Sequence, residues 1–323
     1  MFPKRIATVA STVALSALAL APPASADAEV RPDLRPGDVV SDHGAGAVVP
    51  PPGYGVYAET TLASGGAQTL GVLTERDGTV IVSGAGSEAV EPLPPVPPLP
   101  GLPESPPPPC EDGAYHRMAW TLSDGSRKFA KWKSVMNWWF NPAGVPADLD
   151  RVRARESVRR AARNIVTGRN DCGMPDQITA THTFQGDTST AAGITRDGMC
   201  AGAYDSKNVV AFGSLGARSE QAVAVACVWV VNDGGTYLSM VDTDVKVNTD
   251  YRWYTDEPPT ICLDSRYSVE GVMTHEFGHA YGLDHVDEAE HGNLTMSTNV
   301  NMTCGDDQAT LGKGDVWGLQ ALY

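Results

Sequence analysis

The chain has 323 residues, of which 42% are hydrophobic and 20% charged. That supplies apolar material for one or two packed domains and excludes wholesale disorder. Its 24 Lys+Arg against 39 Asp+Glu leave a formal net charge of −15, which repels phosphate backbones and anionic lipid and argues against nucleic acid or a membrane surface as partner.

Residues 1–26 have a basic start at Lys4 and Arg5, an apolar middle over 6–21 and a small-residue exit at Ala24-Ser25-Ala26. These are the three parts of a secretory signal peptide, cleaved after Ala26. The apolar middle is too short and too rich in Ala to stay as a membrane span, so no stable membrane insertion is expected. Residues 27–91 are Gly-rich and free of cysteine, with alternating apolar stretches around Val56 and Val80 and a turn at Asp77-Gly78 that suggests a hairpin. A segment this small is marginal as an independent domain, and reads either as a prosegment or as an accessory module. Between Pro92 and Pro109, 11 of 18 residues are proline, the composition of a semi-rigid polyproline spacer.

Residues 110–323 hold all six cysteines, Cys110, Cys172, Cys200, Cys227, Cys262 and Cys304. An even number in an exported chain favours disulfides, with the pairing left open; no CxxC supports a thiolate metal site. A strand is expected over 135–140, followed by a helix capped by Asp148 or Asp150. Ala154, Val158, Ala161, Ala162 and Ile165 form its apolar stripe, and the arginines between them form a solvated face. Strand-like stretches follow at 178–184, 209–212, 222–231 and 237–247, and helices at 269–281 and 314–323. One long helix, then strands, then further helices describe an α+β domain.

The chemistry is concentrated in His275-Glu276-Phe277-Gly278-His279-Ala280-Tyr281-Gly282-Leu283-Asp284-His285. Residues four apart on a helix share a face, so His275 and His279 can address one ion. Glu276, one step round, can hold a water without being a ligand. Gly282 can adopt the left-handed conformation that ends a helix and reverses the chain, bringing in His285. Three imidazoles around Zn²⁺ leave one position for water, the layout of a catalytic site.

HExxHxxGxxH resembles the zinc signature of the metzincin metalloproteases, and three further features resemble their matrixin branch. Met296 follows in Leu294-Thr295-Met296-Ser297 as a methionine turn, residues 311–323 look like the closing helix, and a Trp-containing strand precedes a long first helix. The resemblance spans roughly 130–323. It implies a metzincin-like fold (a twisted, mostly parallel sheet, a long first helix, an active-site helix and a C-terminal helix), one catalytic zinc, and endopeptidase activity with Glu276 as general base. It also implies that Met296 supports the zinc site from below, and that an extended substrate pairs with a sheet edge near 222–231. Departures from the family pattern are equally specific. Only His182 stands where matrixins place a second, structural zinc. Residues 27–109 carry no cysteine to block the zinc, and Asn170-Asp171-Cys172-Gly173-Met174-Pro175-Asp176, which looks like the blocking motif, lies inside the catalytic region, where a disulfide is the better reading. Asp284 raises the variant with an Asp ligand, although the spacing favours His285. His291 reads as a surface-loop histidine. The acidic excess permits Ca²⁺ sites, but no DxDxDG-type loop supports one.

The expected protein is a secreted, extracellular, monomeric zinc endopeptidase acting on extracellular proteins or peptides. The alternative is a zinc-containing binding or adhesion module with little turnover. A further rival makes residues 27–91 a recognition domain.

Overall fold

The computed structural model describes residues 28–42, 44–63, 65–84, 106–201, 204–216, 222–255, 266–298 and 309–323. The signal peptide, most of the proline spacer, Cys262 and Cys304 lie outside these residues.

The N-terminal strands are β1 (Glu29–Val30), β2 (Val39–Asp42), β3 (Ala45–Val48), β4 (Tyr54–Leu62), β5 (Ala67–Thr74) and β6 (Val80–Ser83). After the spacer come β7 (His116–Arg117), β8 (Ala119–Thr121), β9 (Arg127–Lys131), β10 (Met136–Asn141), helix α1 (Arg151–Val166), β11 (His182–Asp187) and β12 (Met199–Cys200). They are followed by β13 (Asn208–Gly213), β14 (Ala222–Val231), β15 (Leu238–Asn248), β16 (Trp253–Tyr254) and β17 (Tyr267–Ser268). The last elements are α2 (Val269–Ala280), β18 (Leu283–Asp284), α3 (Glu288–His291) and α4 (Lys313–Leu322).

Local chemistry accounts for the element ends. Asp150 caps α1 by accepting from the Arg153 N–H at 2.9 Å, and the apolar stripe from Ala154 to Ile165 is fully buried. The β5–β6 hairpin turns where Asp77 Oδ1 accepts from the Thr79 N–H at 2.9 Å. The strand expected from residue 178 begins at His182.

Among the described residues one large sheet runs in the order β1-β6-β5-β4-β14-β15-β13-β10-β11, with β9 also pairing with β15. From β11 to β15 the ladders are parallel, as the long crossovers between these strands allow. The ladder reverses at β14, which is antiparallel to β15, and every strand beyond it is antiparallel to its neighbour. The expected mostly parallel sheet thus describes the C-terminal half. β1, β4, β5 and β6 add an antiparallel half, in which short turns link β4 to β5 and β5 to β6, while β2 and β3 form a separate three-stranded sheet with β12.

β14 reads AVAVACVWVV, an unbroken apolar run that suits a strand covered on both faces. It is covered along both edges too, so the edge expected near 222–231 is already paired, with β4. The two faces of the sheet carry separate cores. One joins Trp120, Trp138 and Phe140 to Val158 of α1 and Phe277 of α2. The other mixes Val56, Leu70 and Val72 with Val225, Cys227 and Trp229. Residues before and after the proline spacer therefore contribute to both cores.

Disulfides join Cys110 to Cys172 and Cys200 to Cys227. Cys172 is thereby committed, which removes it as a metal-blocking thiol. Among the described residues no helix is long and apolar enough to cross a membrane.

Candidate metal centre

Helix α2 begins at Ser268, whose hydroxyl accepts from the Gly271 N–H at 3.1 Å. Every residue of α2 except Glu270 is buried, so polar side chains on it must be satisfied from within. His275 and His279 lie one turn apart on a single face. The helix stops at Gly282, which has φ +92° and sits so close to β9 that a Cβ would lie 2.5 Å from the Ala130 carbonyl oxygen. Only glycine meets both conditions. The chain then reverses into β18, which pairs with β7 and delivers His285.

The three Nε2 atoms lie 3.1 Å from one another. His275 Nδ1 is 2.7 Å from the Thr295 carbonyl and His279 Nδ1 3.0 Å from the Leu283 carbonyl. A carbonyl only accepts, so each Nδ1 carries the proton and each of these Nε2 atoms is a bare lone pair. Burial lowers the pKa of His275 to about 4 and holds those of His279 and His285 well below the usual histidine range. The lone pairs of His275 and His279 converge at 3.1 Å and repel unless a cation lies between them. A tetrahedral zinc with Zn–N of ~2.0–2.1 Å sets its nitrogens about 3.3 Å apart, so the triangle fits that ion.

Met296, 2% exposed, packs against Gly278 of α2, where a Cβ would fall 2.2 Å from its sulfur. The turn that carries it is tied to α4. Asp315 accepts from the N–H groups of Thr295, Met296 and Gly312 at 2.9, 3.2 and 2.8 Å. Asp315 therefore positions the Thr295 carbonyl that orients His275. Burial raises its pKa to about 6.

Two buried carboxylates adjoin the imidazoles. Glu276 Oε1 is 2.9 Å from the Thr61 hydroxyl, and burial raises its pKa to about 7. Glu59, from β4, lies with Oε1 3.5 Å from His285 Nε2 and Oε2 3.9 Å from His279 Nε2. Its own Oε1 is also 2.9 Å from the Thr61 hydroxyl. Glu59, His275, His279 and His285 are the group of four whose ligand atoms converge. Burial, then the neighbouring Glu276, push the Glu59 pKa well up.

The other sequence candidates are placed elsewhere. Asp284 accepts from the Tyr57 hydroxyl at 2.8 Å and the His285 N–H at 2.9 Å, leaving His285 as the third imidazole. His182 Nδ1 accepts from Trp138 Nε1 at 3.0 Å and is not one of the four converging residues. His291 closes the short helix α3 rather than a loop, half-buried against Asp112 at 3.0 Å. Sequence reasoning missed Tyr57, Glu59, Thr61 and Asp315. Asp315 carried a faint signal as an acidic residue in the first turn of a helix; the three β4 residues carried none.

Residues 230–323 match the family model for matrixin. The C-terminal part of this chain is matrixin-like. The match covers β15, α2 with its histidines, Met296 and α4, and begins at residue 230 rather than near 130. The matched family is one of zinc metallopeptidases, to which this part of the chain is similar. No curated protein matches the chain.

Proposed function

We propose that this protein is a secreted zinc-dependent endopeptidase of the metzincin type, with His275, His279 and His285 as zinc ligands and Glu276 as general base. The observation that carries the reading is the triangle of Nε2 atoms at 3.1 Å with a carboxylate on the same helix. Gly282 and Met296 serve as structural supports, the first reversing the chain and the second bracing α2. In this reading residues 1–26 are the signal peptide, 27–91 an N-terminal segment, 92–109 a linker and 110–323 the metalloprotease domain. The disulfides fit an oxidising, extracellular setting.

Zinc, when bound, supplies Lewis-acid polarisation of the scissile carbonyl and acidifies a coordinated water toward pKa ~7. The Glu276 carboxylate accepts the proton of the attacking water and returns it to the amine nitrogen as the C–N bond breaks. Its buried setting raises its proton affinity toward neutrality, which suits a group that takes and returns a proton at pH 7. His275 and His279 keep Nε2 free because the Thr295 and Leu283 carbonyls hold the Nδ1 protons. The substrate is an extracellular protein or peptide bound in extended form, and the enzyme acts as a monomer.

Casein hydrolysis tests this reading, with wild type run beside Glu276→Ala at equal zinc content, each before and after limited proteolysis of the N-terminal segment. Cleavage by the released wild type alone is the expected result. Equal inactivity of the two released, zinc-loaded proteins refutes the enzyme assignment in favour of a binding module.

A further inference from the structure

We infer that Glu59 is a fourth protein ligand of the metal, and that strand β4 holds the site closed as an internal occupant of the peptide-binding edge. This inference rests on the zinc reading above.

The side chains of β4 alternate between two faces, as any strand requires. Val56 and Ala58 face the second core. Tyr57, Glu59 and Thr61 face the cluster, and each meets a different part of it. Tyr57 donates to Asp284 beside His285, Glu59 reaches the Nε2 atoms of His279 and His285, and Thr61 contacts Glu276. One strand face thus engages the residue behind the third imidazole, the imidazoles themselves and the general base.

Glu59 is fully buried, and its Oε2 has no hydrogen-bond partner. A buried carboxylate oxygen without a donor is costly. The Thr61 hydroxyl serves Oε1 and the neighbouring Glu276 is itself a carboxylate, while the His279 Nε2 that faces Oε2 at 3.9 Å offers no proton. A cation shared with the three histidines resolves both deficits at once. Three imidazoles and a carboxylate then make a closed, four-coordinate site, in contrast to the open one that hydrolysis requires.

The backbone explains why β4 occupies the edge without serving as substrate. It is antiparallel to β14 in unbroken register from Tyr54 to Thr61, and to β5 from Gly55 to Thr61. Its amides are therefore committed to ladders on both sides, and it presents a side-chain carboxylate to the metal where a substrate presents a peptide carbonyl. The chain as folded is a latent form, and activity requires β4 to leave β14.

The test uses the full-length chain loaded with Co²⁺ in place of zinc, comparing wild type, Glu59→Gln and Glu59→Ala by visible absorption. Loss of a carboxylate ligand changes the cobalt spectrum of both variants before any addition. Acetohydroxamate, a small ligand that needs open coordination positions, then binds Glu59→Ala about tenfold or more tightly than wild type, since a site open a tenth of the time or less weakens binding by that factor. Glu59→Gln retains size and a contact for Thr61, so its spectrum reads the ligand even where Glu59→Ala does not fold. Cobalt spectra identical to wild type in the folded variants overturn the inference and leave the three-histidine site standing. Failure of wild type to take up the metal overturns the zinc reading itself.

Discussion

Replacing Gly282 by Ala tests whether a single backbone position sets the metal triangle. The new Cβ faces two separate penalties. At φ +92° an L-residue is strained by about 1–2 kcal/mol. The Cβ also meets the Ala130 carbonyl oxygen at 2.5 Å. That oxygen belongs to β9, which is paired with β15 opposite Leu238, so it cannot retreat as a flexible side chain would. Overpacking of this kind costs about 1–3 kcal/mol. Stiffening of the unfolded chain returns roughly 0.4–1 kcal/mol. The net loss is about 2–4 kcal/mol, or roughly 5–15 °C in melting temperature for a domain of this size. Since Gly282 also starts the reversal that delivers His285, zinc affinity should fall by about tenfold or more, as it does when groups that orient metal ligands are disturbed. Urea unfolding of the metal-free protein and a competitive zinc titration measure the two effects. Gly282→Asn separates the causes, because Asn tolerates the left-handed region but keeps the Cβ. A loss below about 1 kcal/mol in Gly282→Ala, with wild-type zinc affinity, would refute the reasoning.

Asp315→Ala should leave the Thr295, Met296 and Gly312 N–H groups without their acceptor, at about 1–3 kcal/mol for each that stays buried. It should also weaken zinc about tenfold to a hundredfold by freeing the Thr295 carbonyl; isothermal titration with unchanged zinc affinity would show that the methionine turn holds itself in place. Asp244, buried on β15 and accepting from the Gly193 and Val209 N–H groups, has its pKa raised to about 8, chiefly by burial and then by Asp242. Its folded pKa lies above the unfolded value of 3.8, so the folded protein binds the extra proton and stability falls as pH rises from about 4 to about 8. The stability advantage of wild type over Asp244→Asn, measured by urea unfolding at pH 5 and pH 8, should shrink at the higher pH; a constant difference would contradict the assignment.

Much of the C-terminal part was legible from local pattern. The α1 stripe, the β14 apolar run, the α2 histidine spacing and the reversal at Gly282 each depend on residues within a few positions of one another. Periodicity and backbone freedom are local properties, and a chain carries them before it folds. The convergence of His275, His279 and His285 belongs here too, since eleven residues and one left-handed glycine bring the three together.

Tertiary structure alone decided what surrounds that triangle. Glu59 and Glu276 are 217 residues apart in the chain, and they share the Thr61 hydroxyl only because β4 pairs with β14. Strand pairing of this kind is set by the register of two distant ladders and by a core that Val56 and Leu70 share with Val225 and Trp229. Read in isolation, residues 27–91 are a small, cysteine-free stretch with one recognisable hairpin. A strand's partner is chosen by burial and backbone pairing across the whole molecule, and those forces leave no mark on the spacing of either segment.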